Sequence, residues 1–322
     1  MARRAKIGVA LSAGGAAAMA EIGVISELVA AGIPIDFVAG TSAGAIVGAA
    51  YAAGHLPEFA ATMRALTRRR VLTLFDPKWP RGGLLEGARA MTLMRPYLGT
   101  RFESLLRPFA AVAADLRTGD EVILREGSVV DAVRASIAIP GVFTPFRRGD
   151  QLLVDGGLVN PIPVSVARAL GAEVVIAVSV LTHRTEAAKV RSRSSKPLFA
   201  RLLASAGARR AAARAVVRRK AAAERRSQAL GLVDVLLHAT RIIERRIAAA
   251  RLKEEPPDFL LEIPVPRLGI FDFQETATMI EAGRAAAIAA LPEIGRVIAG
   301  ATPPLYRRWG QWRGRKKVNP TG

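Results

Sequence analysis

Gly40-Thr41-Ser42-Ala43-Gly44 is the stretch of this 322-residue chain with the most chemistry in it. It fits G-x-S-x-G and lies between a short apolar run, Asp36–Ala39, and a longer one, Ala45–Ala53, that Gly54 closes. Read as strand, turn and helix, that order lifts a serine hydroxyl clear of the backbone and needs very small neighbours, here Gly40 and Gly44. The helix that follows points free N–H groups and a dipole at Ser42, where negative charge would develop. The same five residues also make a plain glycine turn, which Ala/Gly-rich chains produce by chance.

A serine hydroxyl needs a base to attack at neutral pH. His55 stands at the far end of the helix that begins at the serine, and His238 lies inside an expected helix. His183 follows an expected strand but opens a basic stretch, so a Ser-His-Asp triad has only His183 to draw on. Asp155 ends the apolar run Leu152–Val154 and precedes Gly156 and Gly157. Its carboxylate can therefore stand at the carboxyl edge of a sheet, where α/β proteins place their sites. An Asp-Gly pair is equally a turn whose aspartate caps its own backbone. Both readings of Asp155 stay open on this ground.

The elements that would position these groups read as a parallel-sheet rhythm. Lys6–Ser12 is an expected strand, Ala16–Ala31 a helix stopped by Gly32 and Pro34, and Asp36–Ala39 a second strand before the serine turn. Further helices are expected over Leu84–Leu98, Val129–Ser136, Val164–Leu170, Leu230–Leu252 and Gln274–Leu291. Phe109–Asp115 and Glu121–Arg125 read as a strand pair around Thr118–Gly119, and Glu173–Val180 and Phe259–Ile263 as strands. The fold expected is α/β, three layers with a mainly parallel central sheet. One catalytic domain takes residues 1–183 and 227–302, with a basic, helical or mobile insertion at 184–226 and a basic tail at 303–322. A lid over the site would fall within Arg69–Gly87.

Composition narrows the chemistry. Aromatics are only 5%, so the core must be built from Ala, Val, Ile and Leu. With no cysteine, thiolate chemistry and disulfides are excluded, and three scattered histidines leave no histidine-rich metal site. The opening MARRAKIGVALSAGG breaks its apolar stretch with glycines and lacks the continuous core of a secretory signal. Val38–Gly54 is too rich in Gly and Ala for a membrane span. A soluble, cytoplasmic protein is the expectation. The net charge of +20 sits mostly in appendages: Arg184–Arg226 carries fourteen Lys/Arg against two acids, and Arg307–Lys317 six Lys/Arg and no acid. That insertion reads either as a solvated basic helix or as a peripheral contact with anionic membrane, with Leu198, Phe199, Leu202 and Leu203 able to insert. Nucleic-acid binding has no reader motif to support it.

Four blocks in order carry a resemblance: LSAGGAAAMAEIGVI at Leu11–Ile25, GTSAGAIVGAAYAAG at Gly40–Gly54, AVRASIAIPGVFTP at Ala132–Pro145 and LVDGGLVNPIPV at Leu153–Val164. The chain resembles the bacterial patatin-like phospholipases across Lys6–Val180 and again from Val233 to Ile298. The resemblance implies a catalytic dyad of Ser42 and Asp155, with Asp155 taking the serine proton directly. It implies an oxyanion hole at Gly14 and Gly15, to which the N–H of Ala43 is a further candidate. The substrate implied is an acyl ester of a (lyso)phospholipid or related lipid, with no cofactor or metal. Against the family's glycine-rich loop, Ala13, Ala17 and Ala18 replace a glycine, a basic residue and a glycine, and Glu21 stands where many members have histidine. The altered loop also fits a patatin-fold protein that binds lipid or a partner without turnover.

Overall fold

Short runs of β-branched and small apolar residues make the centre of a sheet covered on both faces, and they read as near-continuous buried strands for that reason. The structure is a computed structural model that describes residues 4–74, 83–181, 232–266 and 268–301. Its strands are β1 (Ile7–Leu11), β2 (Phe37–Thr41), β3 (Gly83–Leu85), β4 (Phe109–Asp115), β5 (Glu121–Leu124), β6 (Gly141–Phe143), β7 (Phe146–Arg148), β8 (Gln151–Asp155), β9 (Val174–Ser179) and β10 (Phe259–Glu262). Its helices are α1 (Ala20–Ala30), α2 (Ala43–Ala52), α3 (Leu56–Arg64), α4 (Arg68–Thr73), α5 (Ala88–Leu98), α6 (Val129–Ser136), α7 (Val164–Ala169), α8 (Leu232–Glu254) and α9 (Thr276–Ala301).

The main sheet runs β10-β9-β1-β2-β4-β8-β7, with β5 also on β4, and its first five strands are parallel. The registers around β4 decide where the site lies. Ala111 is level with Gly40 of β2 on one edge and with Leu124 of β5 on the other. Ala113 is level with Val122 of β5 and with Asp155 of β8. Thus β2 and β8 share one edge of β4. β2 stops at Thr41, level with Val112, and the antiparallel β8 arrives from the opposite direction and stops at Asp155, one residue further on. The carboxyl ends of the two strands meet tip to tip.

Alternation along the strands separates two cores. Ile7, Val9 and Leu11 of β1 join a large cluster with α1, α2, α3, α5, α6 and α9. Ala10, Ala39, Ala110 and Ala177 face the other side, where α7 packs with Ala248 of α8. Small side chains on that second face let its helices lie close. Burying each Leu, Ile or Val of these clusters is worth roughly 1.5–3 kcal/mol, so packing rather than polar contact holds the layers together.

Several expectations shift. The helix expected from Leu84 begins at Ala88, because Gly83–Leu85 pairs with Gly141–Phe143 in a separate two-stranded sheet. The helix expected from Ala16 opens as a 3-10 turn, Gly15–Met19, before α1. The last helix continues past Leu291 through Pro292, since the carbonyl that loses its N–H partner belongs to Ile288 on the exposed face. The basic insertion Arg184–Arg226, with Leu198, Phe199, Leu202 and Leu203, lies outside the described residues, as do His183, the tail Arg307–Lys317 and part of Arg69–Gly87.

Candidate active site

Ser42 is the non-glycine residue with positive φ among the described residues, at φ 55° and ψ −122°. Such a backbone costs on the order of 1–3 kcal/mol and persists only where its surroundings enforce it. They do so here by close approach. A side chain at Gly40 would begin 2.5 Å from the carbonyl of Gly44, and one at Gly44 would begin 2.6 Å from that of Leu11. The Ser42 N–H donates to Ser136 Oγ at 2.9 Å, and that hydroxyl donates to the carbonyl of Val112 at 2.6 Å, pinning the turn to β4. Thr41 Oγ1 donates to the carbonyl of Asn160 at 2.7 Å and ties the same turn to the chain after β8.

Ser42 Oγ donates to Asp155 Oδ2 at 2.6 Å, a short bond of the charge-assisted kind. The other carboxylate oxygen, Oδ1, accepts from the N–H of Gly157 at 2.8 Å. One oxygen of Asp155 therefore caps the turn Gly156–Leu158, and the other faces the serine. Burial raises the Asp155 carboxyl to about 6, against the opposing hydrogen bonds from Ser42 and Gly157. Above that pH the ionised carboxylate can take a proton from Ser42 directly. Of the histidines, His55 is exposed at the start of α3, and His238 is exposed on α8 with Nδ1 2.7 Å from the carbonyl of Asp234.

The loop from Ala13 to Ala18 packs against α2, the helix that begins after Ser42. Side chains at Gly14 and Gly15 would run into Val180 and Ile270 respectively, so the backbone alone fits there. The N–H of Ala13 donates to the carbonyl of Pro161 at 2.8 Å, and that of Ala16 to Ile270 at 2.9 Å. Two of the loop's amides are thus already engaged. Glu21, which sequence reading marked only as a departure, is fully buried beneath this loop. Its Oε1 accepts from Ser12 N at 2.7 Å and Ser12 Oγ at 3.0 Å, fixing the residue from which the loop departs. Burial pushes its carboxyl well above the usual carboxylate range, against the two bonds from Ser12. Ser136 was likewise missed, although it lies inside the quoted block Ala132–Pro145.

Gly15, Ser42 and Ala43 open onto a pocket otherwise lined by apolar side chains, among them Phe59, Met63, Leu93, Met94, Phe143 and Phe271. Its empty space is about 790 Å³, counting the part open to solvent. α3 and α5, neither of them adjacent to Ser42 in sequence, supply four of those six walls. Such a cavity suits a long apolar group with one polar end at Ser42.

The patatin-like phospholipase model matches residues 9–168, a stretch that holds both Ser42 and Asp155. The chain belongs to the patatin-like phospholipase family. An NTE family protein of Mycobacterium tuberculosis is 41% identical over 176 residues, covering 54% of this chain and 49% of that protein. A second from the same species is 36% identical over 297 residues, covering 88% and 46%. Patatin-like phospholipase domain-containing protein 7 of Rattus norvegicus is 30% identical over 185 residues, covering 54% and 13%. The chain thus spans about half the length of the mycobacterial relatives. VipD from Legionella pneumophila, a solved structure, overlaps with a TM-score of 0.45 at 14% identity, covering 90% of this chain and 67% of that one. No helix among the described residues of this family member is long and apolar enough to cross a membrane.

Proposed function

We propose that this patatin-like protein is a serine hydrolase that cleaves acyl esters of phospholipids, lysophospholipids or related lipids through an acyl-enzyme. Ser42 Oγ attacks the ester carbonyl carbon as its proton passes to Asp155 Oδ2. The resulting oxyanion rests against the N–H groups of Gly14, Gly15 and Ala43. Collapse breaks the ester bond, and the departing alcohol takes the proton from Asp155. Water then attacks the acyl-Ser42 carbonyl, giving its proton to Asp155, which returns it to Ser42 as the fatty acid leaves. The observation that carries this reading is the 2.6 Å bond from Ser42 Oγ to Asp155 Oδ2 at the mouth of an apolar pocket.

Binding without turnover is the competing reading, and it rests on the altered loop. The Ala13 N–H is already bonded to Pro161, so a glycine at that position would add no free donor. Loss of one working oxyanion donor typically costs ~10²–10³ in rate, and Gly14, Gly15 and Ala43 keep theirs in this scheme. The test is fatty-acid release from palmitoyl and acetyl esters, followed by mass spectrometry. Wild type should release palmitate faster than acetate, and Ser42→Ala should release neither; full activity in Ser42→Ala would refute the assignment.

The basic insertion Arg184–Arg226 we assign to contact with anionic lipid surface, at ~1 kcal/mol for each Lys or Arg near it. Flotation with vesicles of anionic lipid should carry the protein upward at low salt, and vesicles of neutral lipid should not. Equal flotation with both would remove the proposal.

A further inference from the structure

One buried acid takes no part in that scheme. Glu244, on α8, is 5% exposed and reaches the turn that holds Asp155. The point where a side chain at Gly157 would begin lies 2.7 Å from Glu244 Oε1 and 3.1 Å from Asp155 Oδ1. The two carboxyl groups therefore flank Gly157 with no atom to spare between them, while the Gly157 N–H donates to Asp155 Oδ1. We propose that Glu244 is a positioning residue for the Ser42–Asp155 pair: neutral, it packs the Gly157 turn under Asp155, and ionised, it displaces Asp155 by repulsion and shuts the site down. The proposal rests on the dyad reading above.

The charges that reach Glu244 are Asp155 from the end of β8, and Arg241 and Arg245 from α8 itself. Arg241 is committed elsewhere as well, donating to the carbonyl of Leu268 at 2.9 Å and facing Asp272. Burial, with Asp155 beside it, outweighs both arginines and raises the Glu244 carboxyl to about 8. Asp155, raised to about 6, ionises first. Two carboxyls pushed apart in this way can divide their roles, one charged and working, the other neutral. No proton of the ester reaction passes through Glu244. Its influence on Asp155 is electrostatic and steric, and it ends when Glu244 gains its charge.

Glu244→Gln keeps the shape of the side chain and cannot ionise. The rate of labelling by a fluorophosphonate is to be followed from pH 5 to 10 for both proteins, each normalised to its own maximum. Wild type should rise through about pH 6 and fall through about pH 8. Glu244→Gln should keep the rise and lose the fall, leaving its relative rate at pH 9.5 at least fivefold above wild type. Melting temperature gives a second readout that needs no activity. A carboxyl whose pKa is raised by folding stabilises the fold below its unfolded value, and that stability is lost as pH rises through the folded one. Wild type should therefore lose more melting temperature than Glu244→Gln between pH 5 and 9. A falling limb that survives unchanged in Glu244→Gln, or no falling limb in wild type, overturns the proposal and leaves the dyad standing. A folded wild type that takes no label on Ser42 overturns the dyad reading instead, and this role with it.

Discussion

Ser42 stands at the N-cap of α2 and caps nothing: its side chain makes no bond back to the helix. A serine there ordinarily accepts from the second or third N–H of its helix, a contact worth about 1 kcal/mol. Here the hydroxyl turns to Asp155, and the N–H of Ala45, the third of α2, donates to the Ser42 carbonyl instead. Departure from the local rule marks the site as plainly as the G-x-S-x-G pattern does. Ser136 is what makes the departure tenable, because its hydroxyl receives the Ser42 N–H and passes on to β4. Ser136→Ala should lower stability by about 1–3 kcal/mol, the cost of a buried donor left unpaired, and should slow ester cleavage with it. Thermal melts and initial rates check this, and a variant unchanged in both would strip Ser136 of that role. Ser42 and Asp155 were legible in sequence because small residues crowd them. Ser136, Glu21 and Glu244 were not, since each is ordinary in its own helix and acquires meaning only from partners that folding brings.

The elements that sequence identified well are the continuous apolar runs and the strongly periodic helices. β1, β4, β9 and α8 lie within a few residues of their expected ranges. What escaped was short or irregular. β3, β6 and β7 are three residues each, too brief for alternation to register. α3 carries Leu56, Phe59, Ala60 and Met63 buried at helical spacing behind a proline near its start, a signal that was present and unread. The direction of β8 was also invisible, for an apolar run does not say whether its partner runs with it or against it. That direction matters more than any other feature of the sheet. A β8 parallel to β4 could not end against the end of β2, and the carboxylate would not meet the serine. α8 completes the arrangement from the second face. Arg251 Nη2 donates to Glu121 Oε2 at 2.6 Å and Arg251 Nε to the carbonyl of Val159 at 2.9 Å, fastening the helix to β5 and to the chain after Asp155. Periodicity marks α8 as a helix but does not show that one of its acids, Glu244, approaches the site.

Across the whole molecule, a sheet edge shared by two opposed strands sets the serine and the aspartate together, and helices from the first face enclose apolar space beside them. In the sequence, most of the +20 falls in Arg184–Arg226 and Arg307–Lys317, outside the described residues. The proposed chemistry depends on Ser42 acting as a nucleophile whose proton goes straight to Asp155. Intact-protein mass spectrometry after fluorophosphonate treatment tests it most directly, on wild type and Asp155→Asn across pH 4.5 to 7.5. One adduct is expected, mapped to Ser42, forming at a rate that climbs through about pH 6 as Asp155 ionises, with near-complete loss in Asp155→Asn. Labelling of Asp155→Asn at the wild-type rate, or an adduct on another residue, would contradict it.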